Sequence, residues 1–365
     1  MEHKGIKSLL AIVLCIGLVA GCICLEAHEK NRLKKMETEQ NAGLKNAENG
    51  AEVETGQTLS QVVLYEDEEI VCYEDRILCH FYYEEKNMDR ISAIVKGMLE
   101  QCPALEHVFV LPVPYQIFLE EGYEEEKDAY LKYMEQLSLK LPEKGVLVDT
   151  LPVLEAHKSE YIFFKTEDTW TARGAYYGME VICKELGMEP IPLEQYYEYM
   201  YASFRGGLKL VEALDSIESI EELKDQIYYY LLPDSVNMVE VMEIDSSGNK
   251  VSYKKPVVTP YIRNLGSFIG SRYLRAIVEG EPQEANNEGK YLLVVCDSAG
   301  RLLVPYLKDY YDGVYVVNIK LDDELYQDLN QIVEEYHISD VLYVQNTMEI
   351  GVSGYSKALN DFCEE

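Results

Sequence analysis

The chain of 365 residues is poor in side chains that carry much of protein chemistry. It has a single tryptophan, Trp170, and only six histidines. Of these, His80, His107, His157 and His337 fall in the part expected to fold, and none lies in a catalytic pattern. His157, in Glu-Ala-His-Lys-Ser-Glu-Tyr, reads as an exposed helix end. The nine cysteines include no Cys-x-x-Cys pair, which argues against zinc ribbons and thioredoxin-like redox sites. No glycine-rich phosphate loop is present, and neither a cofactor nor a metal is expected. Basic residues are scarce as well. Lys and Arg number 33 against 65 Asp and Glu, a formal net charge of −32. Such a surface repels phosphate backbones and argues against nucleic-acid binding. The acidic residues are dispersed, as on a solvated acidic surface. Phenylalanine is rare too, with 8 against 30 tyrosines. Tyrosines line saccharide sites but also fill half-wet strand faces, and the structural role is the expected one here.

What is present divides the chain. Ser8 to Leu25 carries no charge and follows Lys4 and Lys7. Its length suits a transmembrane or signal helix. Residues 1–25 are read as an uncleaved membrane anchor, with a cleaved signal as one alternative. The run Val19-Ala20-Gly21-Cys22 resembles a bacterial lipobox, so a lipoprotein acylated at Cys22 is another. Export follows in every case. Residues 26–61 are polar and punctuated by glycine, as in a stalk or linker. Residues 62–365 have the apolar content, 47% over the whole chain, of a globular domain. Cys72 and Cys79 flank a candidate hairpin, which makes a bridge between them the alternative, but free buried thiols are the expected state, without a disulfide framework.

Helical spacing is read over 88–101, 124–141, 171–186 and 322–336, and a helix over 302–311. Short apolar runs at 108–113, 145–149, 291–296, 314–319 and 341–344 read as buried strands. A hairpin is expected within 239–256, inside an insertion-like region at 191–285. Strands alternating with helices predict an α/β fold, a parallel central sheet covered on both faces.

Two stretches carry candidate chemistry. In Leu292–Leu307 a buried strand ends at Cys296-Asp297-Ser298-Ala299-Gly300 and a helix follows. A serine there projects from the carboxyl end of the sheet, and the helix start offers N–H groups to an oxyanion. The plainer alternative makes Asp297 or Ser298 a helix N-cap. The second stretch, Phe163 to Gly178, reads FFKTEDTWTARGAYYG. In it Thr166 or Asp168 can cap the following helix, with Trp170 and Phe164 packed beneath.

This second stretch resembles the signature of the bacterial DHHW family, in which Asp-His-His-Trp precedes Thr and a Gly-Ala-Tyr-Tyr helix. It is also similar to the domain of alginate O-acetylation proteins. Both belong to the SGNH-hydrolase-like superfamily. HVFVLPVPYQIFLEEG, SFIGSRYLRAIVEG, the Asp-Ser block and ISDVLYVQN extend the resemblance, in family order, over roughly 62–346. It implies a three-layer, flavodoxin-like fold and a Ser-His-Asp triad. Carried onto this chain, the nucleophile is Ser298 and the orienting acid is Glu167. The middle motif position is Asp168. The base position is Thr169, which cannot take a proton from serine. Arg272 and Arg301 stand where the family has asparagines, and with Asp297 and Trp170 they complete the implied binding residues. A carboxylate at Glu167 or Asp168 starts about 2.5 pKa units below imidazole as a base. The expectation is a membrane-anchored, extracytoplasmic, catalytically impaired protein that binds envelope glycan or envelope proteins. The alternative is a serine esterase or polysaccharide O-acetyltransferase with a base other than histidine.

Overall fold

The computed structural model describes residues 60–365 apart from 211, 215–216, 260–261, 263, 283–286, 348, 352–356 and 364–365. The expected anchor and most of the expected linker lie outside the described residues. Among the described residues no helix is long and apolar enough to cross a membrane.

The chain opens with a small antiparallel sheet of β1 (Val63–Glu66), β2 (Ile70–Tyr73) and β3 (Ile77–Cys79). Its register sets Cys72 opposite Ile77 and Cys79 opposite Ile70. Neither is in a disulfide, nor are the other four described cysteines. Helix α1 (Glu85–Gln101) leads to β4 (His107–Val113), α2 (Glu124–Lys140), β5 (Gly145–Leu147), α3 (Leu151–Ala156) and α4 (Ala172–Glu185). A two-stranded ribbon, β6 (Tyr197–Phe204) and β7 (Asp225–Leu231), comes next. It is followed by β8 (Met238–Ile244), β9 (Lys250–Pro256) and β10 (Tyr273–Glu279). The chain then forms β11 (Tyr291–Cys296), β12 (Gly313–Asn318), α5 (Leu325–Glu335) and β13 (Asp340–Asn346).

The central sheet has eight strands in the order β5-β4-β13-β11-β12-β10-β8-β9. The first five are parallel, and the last three add antiparallel. The mostly parallel α/β sheet matches the sequence reading. The flavodoxin-like strand order does not. Taking the parallel strands in chain order, the arrangement is 2-1-5-3-4 rather than 2-1-3-4-5. The last strand, β13, inserts between the first and the third. Its residues Val341 to Val344 are apolar and buried on both faces, which suits the middle of the sheet.

Side-chain alternation divides the core into two layers. Phe109, Leu111, Val294, Val316 and Val344 face α4. Val108, Val110, Val295, Val317 and Tyr343 face α1, α2 and α5. Helix α4 packs so closely because two glycines one turn apart clear its inner face. A Cβ on Gly174 would lie 2.8 Å from Trp170 Cβ, and one on Gly178 would lie 2.7 Å from Trp170 Cζ3. Trp170 lies flat against this bare strip, fully buried.

Gly178→Ala is expected to cost about 1–3 kcal/mol through overpacking. Urea unfolding measures the loss. Because Trp170 is the only tryptophan, its native fluorescence should shift as well. An unchanged midpoint with unchanged emission would contradict the close contact.

Candidate active site

The carboxyl ends of β4, β13, β11 and β12 form one rim, and the motif loop lies against it. Residues 162–171 fold back as a tight hairpin. Thr171 N donates to Ile162 O at 2.8 Å, and Phe164 N donates to Thr169 O at 3.2 Å. Trp170 Nε1 donates to Ala299 O at 3.0 Å, which joins this hairpin to the turn that carries Ser298. The two stretches read from the sequence therefore meet, although they are well over a hundred positions apart.

A second anchor comes from Asp225, a fully buried residue at the start of β7. Its carboxylate accepts from Tyr161 Oη and Lys165 N, both at 2.6 Å. It also accepts from Thr166 N at 2.8 Å and from the Thr166 hydroxyl. Gly206 N donates to Thr166 Oγ1 at 2.8 Å, and Gly207 N donates to Glu167 Oε1 at 2.9 Å. Gly206 must be glycine for this approach, since a Cβ there would sit 1.9 Å from Thr166 O. Thr166 is thus committed elsewhere and does not cap α4. Nor does Asp168. The cap is Thr171, whose Oγ1 accepts from Gly174 N at 3.3 Å.

In the Ser298 turn the 3-10 helix starts after Ala299 with no side-chain cap, so neither Ser298 nor Asp297 takes the expected N-cap role, and Asp297 instead ties the turn to β13. It is buried, and its Oδ1 accepts from Ala299 N at 2.8 Å while its Oδ2 accepts from Asn346 N at 3.2 Å. Burial and the nearby Glu349 push its carboxyl above the usual range, opposed by Lys320 and by these N–H groups. Ser298 is half-buried, and its hydroxyl makes no hydrogen bond with the described residues. The helix expected over 302–311 is broken into a 3-10 turn at Gly300–Leu302, one helical turn at Val304–Leu307 and a second 3-10 turn at Lys308–Tyr310.

The three changed motif positions have different surroundings. Glu167 is half-buried, and its carboxyl is raised by burial, against the pull of Gly207 N–H. Asp168 is enclosed among Glu167, Glu349 and Asp297. Burial first and these carboxylates next raise it to about 7, with Lys320 opposing. Both line a crevice with Cys79, Tyr115 and Gln116. The Asp168 carbonyl accepts from Asn346 Nδ2 at 3.0 Å. Thr169 is 1% exposed, and its hydroxyl has no partner among the described residues.

The two arginines part company. Arg301 is buried and donates to Gly270 O. Gly270 (φ +124°) follows Ile269 (φ +63°), a left-handed conformation that a β-branched residue seldom adopts. Lys255 presses against the same turn, its Nζ 2.8 Å from where a Gly270 Cβ would stand. Burial and Arg301 lower its pKa. Arg272 lies exposed beyond the turn.

None of the four described histidines reaches the rim. His80 contacts Glu126 at 2.7 Å, and His107 contacts Asp340 at 3.0 Å at the amino ends of their strands. His157 contacts Glu160 at 2.8 Å and stacks on Tyr177 at 3.7 Å. His337 ends α5 with φ +50°. Sequence reasoning missed Asp225, Asn346 and Lys255 as site-building residues. Only Asn346, a polar residue ending an apolar strand, left a local signal.

The Asp168 environment has a pH signature. Its ordinary value is 3.8 and its folded value about 7, so the native state holds a proton that the unfolded chain releases first. The stabilisation is complete below about pH 4 and is lost as pH rises through 7. Asp168→Asn should flatten this loss between about pH 4 and 8, measured by urea unfolding at each pH. Parallel profiles for the two proteins would contradict the enclosed carboxylate.

The comparisons with known proteins agree with this architecture. No curated protein matches the chain. A crystal structure of a DHHW family protein from Eubacterium siraeum DSM 15702 superposes with a TM-score of 0.66 at 20% identity, over 82% of this chain and 97% of that one. Bacillus cereus PatB1 superposes with a TM-score of 0.57 at 17% identity, over 80% of this chain and 98% of that one. Its structure with a sulfonyl adduct gives a TM-score of 0.55, at 17% identity over 80% and 97%. The O-acetyltransferase domain of Pseudomonas putida AlgJ aligns with a TM-score of 0.46 at 13% identity, over 78% and 93%. At these identities the first two relatives show a shared fold. The sequence model of the DHHW family goes further, matching residues 126–317, a segment that holds both the motif hairpin and the Ser298 turn. More than half of the chain is thereby accounted for, and the protein belongs to the DHHW family.

Proposed function

We propose that this DHHW protein is catalytically impaired and works outside the cytoplasm, held at the bacterial membrane by its N-terminal segment. There it binds a cell-envelope or exopolysaccharide glycan at the sheet rim. One observation carries the reading. The position of the family's base is Thr169, buried and without a hydrogen-bond partner among the described residues. Of the four described histidines, His80, His107 and His157 are engaged by carboxylates elsewhere, and His337 follows the end of α5. A hydroxyl cannot accept the serine proton at neutral pH, so Ser298 lacks the general base that nucleophilic attack requires. The net charge of −32 supports a partner other than nucleic acid.

A second reading, an esterase or O-acetyltransferase that uses Ser298 with a carboxylate base, has one observation in its favour. Asp168 is raised to about 7, near the range of imidazole. Burial would thus recover the driving force that an ordinary carboxylate lacks.

The two readings differ in rate. Full-length protein in detergent should hydrolyse p-nitrophenyl acetate no faster than its Ser298→Ala variant. Restoring the family pattern with Glu167→Asp and Thr169→His should add turnover that Ser298→Ala removes. By analogy with the loss of a triad member in other hydrolases, this gain is at least about 10²-fold. Wild-type turnover abolished by both Ser298→Ala and Asp168→Asn would overturn the impaired reading in favour of the second.

A further inference from the structure

A pocket of about 340 Å³ opens beside the motif hairpin, and Ser298, Glu167, Asp168 and Thr169 do not line it. It lies past the carboxyl end of β4. Its walls come from the 3-10 turn Gln116–Leu119, the β2–β3 turn and the segment leading into the hairpin. Gln116 and Phe163 line both this pocket and the crevice of Glu167 and Asp168, so the two cavities share walls. Its size suits a small organic ligand rather than an ion.

The charges lining it are already partly spent. Glu120 takes two bonds from the buried Arg76, Nε at 3.1 Å and Nη2 at 2.8 Å. Glu160 accepts from Arg173 Nη1 at 2.7 Å and from Tyr177 Oη at 2.8 Å. The ammonium groups of Lys158 and Lys165, which also line the pocket, have no carboxylate partner among the described residues. Elsewhere on this acidic chain lysines such as Lys127, Lys140 and Lys254 sit against carboxylates at 2.5–2.6 Å. Lys165 Nζ stands 5.9 Å from the ring of Tyr161, and that ring is pinned by its hydroxyl bond to Asp225. Two unpaired cations, the Tyr161 ring and the amide oxygen of Gln116, whose Nε2 donates to Glu120 at 3.0 Å, thus border one cavity, with the exposed Glu121 at its edge.

We infer that this pocket binds an acidic saccharide unit. Its carboxylate or phosphate group is taken by Lys158 and Lys165, its ring lies on Tyr161 and a hydroxyl meets Gln116. The inference rests on the glycan reading above and names the chemical class of the glycan. The acidic surface around the pocket repels a polyanion that is not seated there, so the two lysines confer register as well as affinity. In sheet order β4 and β11 are two strands apart, about 10 Å.

Calorimetric titration of full-length protein in detergent tests this with three probes: an oligouronate, the same oligosaccharide with its carboxyl groups reduced to alcohols, and a sugar phosphate. The oligouronate or the sugar phosphate should bind at least about tenfold more tightly than the neutral form. Lys158→Glu with Lys165→Glu should remove that preference while leaving the circular dichroism and melting temperature unchanged. The milder Lys158→Gln with Lys165→Gln should weaken it. Preference for the uronate or for the phosphate identifies which anion is read, and either supports the inference. Equal binding of acidic and neutral forms, unaffected by the lysine changes, would overturn the inference and leave the glycan reading standing. No binding of any probe would count against both.

Discussion

The structure depends on how Trp170 is seated. Its indole lies on the bare strip that Gly174 and Gly178 leave on α4, and its N–H reaches Ala299 O across the rim. Both partners of this bond are buried, so losing it would strand a donor and an acceptor without water. The bond sets the motif hairpin against the Ser298 turn, while Asp225 holds the hairpin from behind. Neither contact involves the side chains at 167–169. The frame and the chemistry are physically separable, and a chain can keep the first while losing the second.

What occupies the frame is a concentration of negative charge. Glu167, Asp297 and Glu349 stand near Asp168 at the Ser298 turn, with Lys320 as counter-charge and Arg301 bearing on Glu167. Burial first and these carboxylates next hold the Asp168 carboxyl above its ordinary range. Such a cluster opposes the oxyanion that acyl transfer builds beside the serine. The buried cations on the neighbouring turn, Arg301 and Lys255, lie against Gly270, and Arg301 spends one of its donors on the Gly270 carbonyl.

Much of this was legible from local pattern. The strand at Tyr291–Cys296 stands where its apolar run placed it, and α4 begins directly after Thr171. The motif words also identified the family before any contact was known. What local pattern could not carry was pairing across distance. The insertion of β13 between β4 and β11 depends on which strands tolerate burial on both faces, and Val108–Val113 and Val341–Val344 read alike until they are assembled. The capping of α4 by Thr171 rather than Thr166 follows from Asp225, almost sixty positions away, which claims the Thr166 hydroxyl. Asn346, which joins Asp297 to the Asp168 backbone, is one polar residue at the end of an apolar strand.

The central claim is that the serine is presented without a base. Reactivity of Ser298 itself tests this most directly, without assuming a substrate. Full-length protein exposed to a fluorophosphonate, followed by intact-mass spectrometry, should keep its unmodified mass, as Ser298→Ala keeps its own. A stoichiometric adduct that maps to Ser298 and vanishes in Ser298→Ala would contradict the account.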